Sequence, residues 1–139
     1  MASFANIPDS VVDALRRKGL DDRIVVVGAS TDPDKYGNKI VKNLVGKGYS
    51  VVPVNPKEPA VEGLVAYRSV SEIEGPVAIV NFVVPPAVSR KVLESIGDLN
   101  IGAVWFQDGS YDEETIRLAR SYFSNVVFDS CIMVATNLV

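Results

Sequence analysis

The sequence contains no histidine. That absence removes the Ser-His-Asp triad, the imidazole metal ligand and the phosphohistidine intermediate together. Cys131 is the one cysteine, so no disulfide closes within the chain and no thiolate cluster can hold zinc. A reducing cytoplasm is the expected compartment. No apolar run approaches the roughly 20 residues that a bilayer requires. The start, MASFANIPDS, has neither the basic residues nor the apolar core of a signal peptide. Positive charge is also short. Fourteen Lys and Arg against 17 Asp and Glu leave a net charge of -3, which argues against a nucleic-acid or membrane partner. Any catalysis would fall to carboxylates, Lys, Tyr, Cys131 or a bound cofactor, and no catalytic residue or metal ligand set is assigned.

What is present reads as one domain over residues 1–139, enough chain to bury about two-thirds of its unfolded surface. Ile7, Val11, Val12 and Leu15 recur at helical spacing, with Pro8 in the first turn and Gly19 at the stop, so a helix within residues 1–20 is expected to pack on the rest. RIVVVG is a strand buried on both faces. Ile40, Val41, Leu44 and Val45 form one side of a helix ending near Gly46 or Gly48. YSVVPVNP, VAIVNFVV, GAVWFQ and NVVFDS supply four more strands, and LVAYRS reads as a short edge strand. SVSEIEG reads as a single helical turn. Pro85-Pro86 ends the third main strand, after which Val88, Val92, Leu93 and Ile96 stripe a helix. Ser110 with Glu113 suggests a capping box for a helix running to about Tyr122, and a short tail follows NVVFDS. Strands alternating with helices predict a single doubly wound, parallel five-stranded sheet of Rossmann type, with a ligand where strand order reverses.

The stretch IVVVGASTDPDKYGNKIVKNL carries the strongest local signal, although the three-glycine nucleotide fingerprint is missing. Gly28 and the small Ala29 allow a ligand close to the backbone, Ser30 and Thr31 add hydroxyls, and Gly37 turns the chain into a helix. Free N–H groups around Gly37, Asn38 and Lys39 are expected to face an anion, with help from the helix dipole. Residues 23–57 hold six basic and two acidic residues, a local balance of +4, so the remainder carries -7. An NAD site expects a carboxylate after the second strand, where this chain has Asn55-Pro56-Lys57. Lys57 suits a phosphate on the ribose, which NADP and coenzyme A both carry. Trp105 reads as core, and Asp108 and Asp129 as an acid–base pair or, for Asp108 beside Gly109, as turn chemistry.

Taken in order, VVGAS with YGN, VPVNPK, VVPP, WFQDG and DSCI resemble the coenzyme A-binding domain family over roughly residues 20–135. These are small cytoplasmic Rossmann proteins, similar in turn to the N-terminal domain of the succinyl-CoA synthetase α-subunit. The resemblance implies that the chain binds coenzyme A. Gly28, Ala29 and Ser30 would line the pyrophosphate, Tyr36 would close over it, and Gly37 and Asn38 would open the helix. Asn55, Pro56 and Lys57 would meet the adenosine ribose and its 3′-phosphate. Val84, Pro85 and Pro86 would form an apolar shelf, with Gln107, Gly109 and Cys131 near the pantetheine arm. Cys131 reads as a small buried hydrophobe or as a partner for the ligand thiol. The synthetase uses a catalytic histidine in a further domain, and this chain has neither, so the implied role is a non-catalytic carrier, sensor or redox partner. Two alternatives stand beside it. One is a minimal NADP-dependent oxidoreductase, though no Tyr-x-x-x-Lys pair is present; the other is an accessory nucleotide-binding subunit of an acyl-CoA synthetase. A homodimer through an apolar edge such as LVAYRS is compatible with the sequence.

Overall fold

The computed structural model describes residues 6–139. Its first helix, α1 (Asp9–Arg17), begins at Pro8, whose carbonyl accepts from the N–H groups of Val11 and Val12. Proline therefore caps the helix instead of occupying its first turn. The stop is also displaced, since Lys18 and not Gly19 takes the left-handed conformation, at φ 52°. Val11, Val12 and Leu15 enter the main core cluster beside Ile24 and Ile79. Each contributes about 1.5–3 kcal/mol of burial, which fastens α1 to the sheet.

Five parallel strands make the sheet: β1 (Ile24–Val27), β2 (Val51–Val54), β5 (Val77–Phe82), β6 (Ile101–Phe106) and β7 (Val126–Val127). Their spatial order is β2-β1-β5-β6-β7. Valine and isoleucine fill β1 because both of its faces are covered: all four residues are buried. Helices α1, α2 (Tyr36–Gly46) and α5 (Ile132–Leu138) cover one face with Val26, Ile79 and Trp105 beneath them. Helices α3 (Pro86–Ile96) and α4 (Glu113–Tyr122) cover the other, over Val25, Phe82 and Phe106. The doubly wound expectation is met. Strand order reverses between β1 and β5, so their carboxyl ends flank the switch point.

Several local expectations are corrected. LVAYRS contributes only β4 (Leu64–Val65), which pairs antiparallel with β3 (Ala60–Val61) in a separate hairpin, while Tyr67 makes one bridge to Val54. Val45 and Val88 lie 41% and 42% exposed, off the stripes assigned to them. In α3 Ser89 is buried instead, its hydroxyl donating to the Ser110 carbonyl at 2.7 Å. That contact holds the Ser110 segment outside the helix, so no Ser110–Glu113 box forms and Asp112 caps α4 by accepting from the Thr115 N–H. The supposed tail after NVVFDS is helix α5. SVSEIEG does contain one turn of 3-10 helix, Val70–Glu72, and Trp105 is fully buried, both as expected.

Candidate ligand-binding site

The β1–α2 junction is built by close packing. Gly28 sits at φ +96°, and a Cβ there would lie 2.8 Å from Val84 Cγ1. Gly37, the second residue of α2, rests on the Gly28 carbonyl so closely that any side chain would overlap it. Glycine is therefore required twice, once for conformation and once for helix–strand contact.

Two asparagines fix the polarity of this junction. Asn55 Nδ2 donates to the Ala29 carbonyl at 2.8 Å, and its Oδ1 accepts from the N–H groups of Lys57 and Glu58. The buried Asn38 donates through Nδ2 to the Ser30 carbonyl and to Glu62, each at 2.9 Å. Glu62 sits at φ 50° beside Gly63 in the β3–β4 turn, so this contact ties the hairpin to the junction. With the carbonyls held back, the N–H groups of Ala29, Ser30, Thr31, Tyr36 and Gly37 have no acceptor among the described residues. Asn38 and Lys39 differ from expectation: both N–H groups donate to the Lys35 carbonyl. A loop of unpaired donors at a helix start is suited to an anion.

Charge around the junction is less positive than the sequence window implies. Arg23 donates to the Glu74 and Pro76 carbonyls, before β5 and at the opposite end of the strands. Lys47 Nζ lies against α5, donating to the Met133 carbonyl and Thr136 Oγ1, where burial lowers its pKa. Lys57 is exposed just past β2 and its ammonium has no partner among the described residues.

Beyond the junction, a cavity of about 370 Å³ opens over the ends of β6 and β7, lined by Tyr36, Gln107, Asp108, Asp129, Ser130 and Cys131. Five residues singled out in the sequence thus meet here: Tyr36, Gln107, Asp108, Asp129 and Cys131. Tyr36 Oη lies 3.2 Å from Cys131 Sγ. That hydrogen bond, then burial, pushes the Tyr36 phenol up to about 12. Tyr111 hydrogen-bonds Asp129 and is likewise pushed up to about 12. Asp129 stands at φ 58°, held in place as Trp105 Nε1 donates to the neighbouring Ser130 carbonyl at 2.8 Å. Gln107 is buried, and its Nε2 donates to Asn81 Oδ1 at 2.6 Å. Val84 packs on Gly28, whereas Pro85 caps α3, Pro86 starts it, and Gly109 occupies an exposed turn at φ +84°. Pro56, Lys57, Val84, Pro85, Pro86 and Gly109 do not line the cavity.

Sequence reading passed over Asn81, Glu62 and α5. Asn81 left a readable trace as a polar residue within VAIVNFVV, and α5 as Ile132, Ala135 and Thr136 at helical spacing.

The chain matches the CoA binding domain family over residues 22–137. It is 34% identical over 113 residues to the uncharacterized protein YneT of Bacillus subtilis, covering 81% of this chain and 84% of that protein. It is also 33% identical over 120 residues to the alpha subunit of ADP-forming acetate–CoA ligase II of Pyrococcus furiosus. That match covers 78% of this chain but only 26% of the subunit, so the chain spans about a quarter of that relative. Among solved structures, a conserved hypothetical protein from Pyrococcus furiosus superposes with a TM-score of 0.77 at 43% identity, covering 81% and 97% of the two chains. A hypothetical protein from Pyrococcus horikoshii gives 0.84 at 28% identity, covering 99% and 96%. Among the described residues no helix is long and apolar enough to cross a membrane.

Proposed function

The chain belongs to the CoA-binding domain family, and on that premise we propose that it binds coenzyme A or an acyl-CoA as a non-catalytic carrier or sensor in a reducing cytoplasm. The observation that carries this reading is the set of unpaired N–H groups of Ala29, Ser30, Thr31, Tyr36 and Gly37, behind which Asn38 and Asn55 retain the carbonyls. A diphosphate supplies the acceptors these donors lack. Lys57 answers the 3′-phosphate on the adenosine ribose, Val84 and the two prolines flank the nucleotide, and the cavity at Gln107 and Cys131 accepts the pantetheine arm.

Thermal unfolding with coenzyme A, 3′-dephospho-coenzyme A, NADP and NAD tests the reading. At 100 times its dissociation constant a ligand stabilises by about 2.7 kcal/mol, a rise on the order of 10 °C for a domain of this size. Coenzyme A is expected to exceed its dephospho form, and Lys57→Ala to erase that difference. Equal responses to the two forms in the parent protein would remove Lys57 from the site. A larger response to NADP would favour the oxidoreductase reading.

Similarity to a ligase alpha subunit supports a second role, in which the chain donates its nucleotide site to a partner. Co-purification with a larger ATP-binding protein separates that role from a free-standing carrier.

A further inference from the structure

The sheet ends at β7, which pairs with β6 alone. Val104 of β6 stands opposite Val126 in parallel register, and its N–H donates to the Asn125 carbonyl at 3.1 Å. In a parallel ladder the bonds to Val104 come from the residues on either side of Val126, namely Asn125 and Val127. The N–H and carbonyl of Val126 therefore point away from β6, off the edge of the sheet. The Phe128 N–H also has no acceptor among the described residues. Val126 and Phe128 are half-buried, so these main-chain groups lie in a cleft and not on open surface.

That cleft, of about 250 Å³, runs into a second of about 440 Å³ along α4, and Arg120 and Phe128 line both. The two make one groove. Tyr111, Ile116 and Phe128 give it an apolar floor, with the two aromatic ring centres 5.3 Å apart. Arg117 and Arg120 border it, the Arg120 guanidinium 5.7 Å from the centre of the Phe128 ring. Neither arginine forms an ion pair among the described residues, whereas Arg17 and Arg90 do. The nearby carboxylates are engaged elsewhere: Asp112 accepts from Arg90 and Thr115, and Asp129 from Tyr111. Two cations against the single remaining carboxylate of Glu113 leave the groove positive in a chain of net charge -3.

We propose that this groove docks an extended peptide segment of a partner protein, added as a further strand beside β7. Strand addition supplies the partners that the main-chain groups of Val126 and Phe128 lack, and side-chain pockets then set specificity. Alternate residues of a strand face the same side. The peptide should therefore carry an aromatic or branched apolar residue over the floor, and Asp or Glu two positions away to meet Arg120 or Arg117. Strand β7 is only 2 residues long, so side chains must carry most of the affinity. The groove shares only Asp129 with the cavity assigned to the pantetheine arm, and the inference does not rest on the coenzyme A reading.

Fluorescence anisotropy with the full chain and labelled, end-capped peptides tests it. One peptide carries Phe-Thr-Glu, with ring and carboxylate on the same side of a strand. A second has Phe and Glu adjacent, a third has Lys for Glu, and a fourth repeats the first with methylated backbone nitrogens. The first should saturate below about 1 mM and bind at least about tenfold more tightly than each of the others. Arg117→Gln together with Arg120→Gln should weaken it by about tenfold or more, while the chain keeps one cooperative unfolding transition. No saturation by about 1 mM, or equal binding of the Lys peptide, would overturn the proposal. Equal binding of the methylated peptide would rule out strand addition. A parent chain that sediments as a dimer, and as a monomer once both arginines are replaced, would give the groove to a second copy instead.

Discussion

Glycine substitutions at the two ends of α2 separate packing from propensity. Gly37 touches the Gly28 carbonyl, so Gly37→Ala must push the helix away from β1. Such overpacking costs about 1–3 kcal/mol and also displaces the unpaired donors. Gly46, the last residue of the same helix, has nothing within 4 Å of the position its Cβ would occupy and no left-handed φ. Gly46→Ala should therefore stabilise by about 0.4–1 kcal/mol through the unfolded chain. Urea denaturation should move the two midpoints in opposite directions, and a stabilising Gly37→Ala would refute the contact. The sequence disclosed the need for small residues at Gly28, Ala29 and Gly37 but read it as room for a ligand and for a turn, whereas at Gly28 and Gly37 the space is taken by Val84 and by the Gly28 carbonyl. It did not disclose what Asn38 and Asn55 bond. An amide is both donor and acceptor, and only the folded chain shows that each turns its nitrogen toward a carbonyl of the junction.

At the scale of elements, the cap of α4 is the sharpest departure from expectation. The spacing of Ser110 from Glu113 predicts a cap at Ser110, yet the residue that accepts from Thr115 is Asp112. Spacing alone cannot decide between neighbouring polar residues when tertiary contacts reserve one of them, as Ser89 reserves the Ser110 carbonyl. Hydrogen bonds from the Thr115 hydroxyl and N–H, followed by Arg90, hold the Asp112 carboxyl down at about 2, against an ordinary 3.8. The folded value lies below the unfolded one. Asp112 therefore contributes stability that is complete above about pH 4 and is lost as pH falls toward 2. Asp112→Asn keeps an acceptor oxygen without the titration. The variant should be less stable than the parent above about pH 4, and the gap should close by about pH 2 when urea midpoints are compared. A gap constant with pH would assign the effect to the cap geometry alone. Helix α5 escaped notice for a related reason: it is 7 residues long, lacks a side-chain cap, and depends on Lys47 and Gln107 from other elements.

For the whole molecule, the alternation of strands and helices made the doubly wound sheet legible. The switch point between β1 and β5 follows from its strand order, β2-β1-β5-β6-β7. The distribution of charge was not legible, because a window of sequence does not correspond to a region of space. Of the six basic residues in residues 23–57, Arg23 binds carbonyls at the far end of the sheet and Lys47 lies against α5. Meanwhile Asp108 and Asp129, distant in sequence, enter the cavity wall, and Glu62 reaches the junction through Asn38. A polyanion at this site would be held chiefly by main-chain donors, with Lys35, Lys39 and Lys57 as the exposed cations of the same segment. Short hydrogen bonds from N–H groups in a partly buried loop are screened much less by salt than exposed ion pairs are. The dissociation constant for coenzyme A should therefore change by less than about tenfold, or about 1.4 kcal/mol, between low and near-molar salt. Calorimetric titration across that range tests it. A steeper loss would mean that lysines and not backbone amides carry the affinity, and tighter binding at high salt would mean that the surrounding carboxylates repel the ligand more than these lysines attract it.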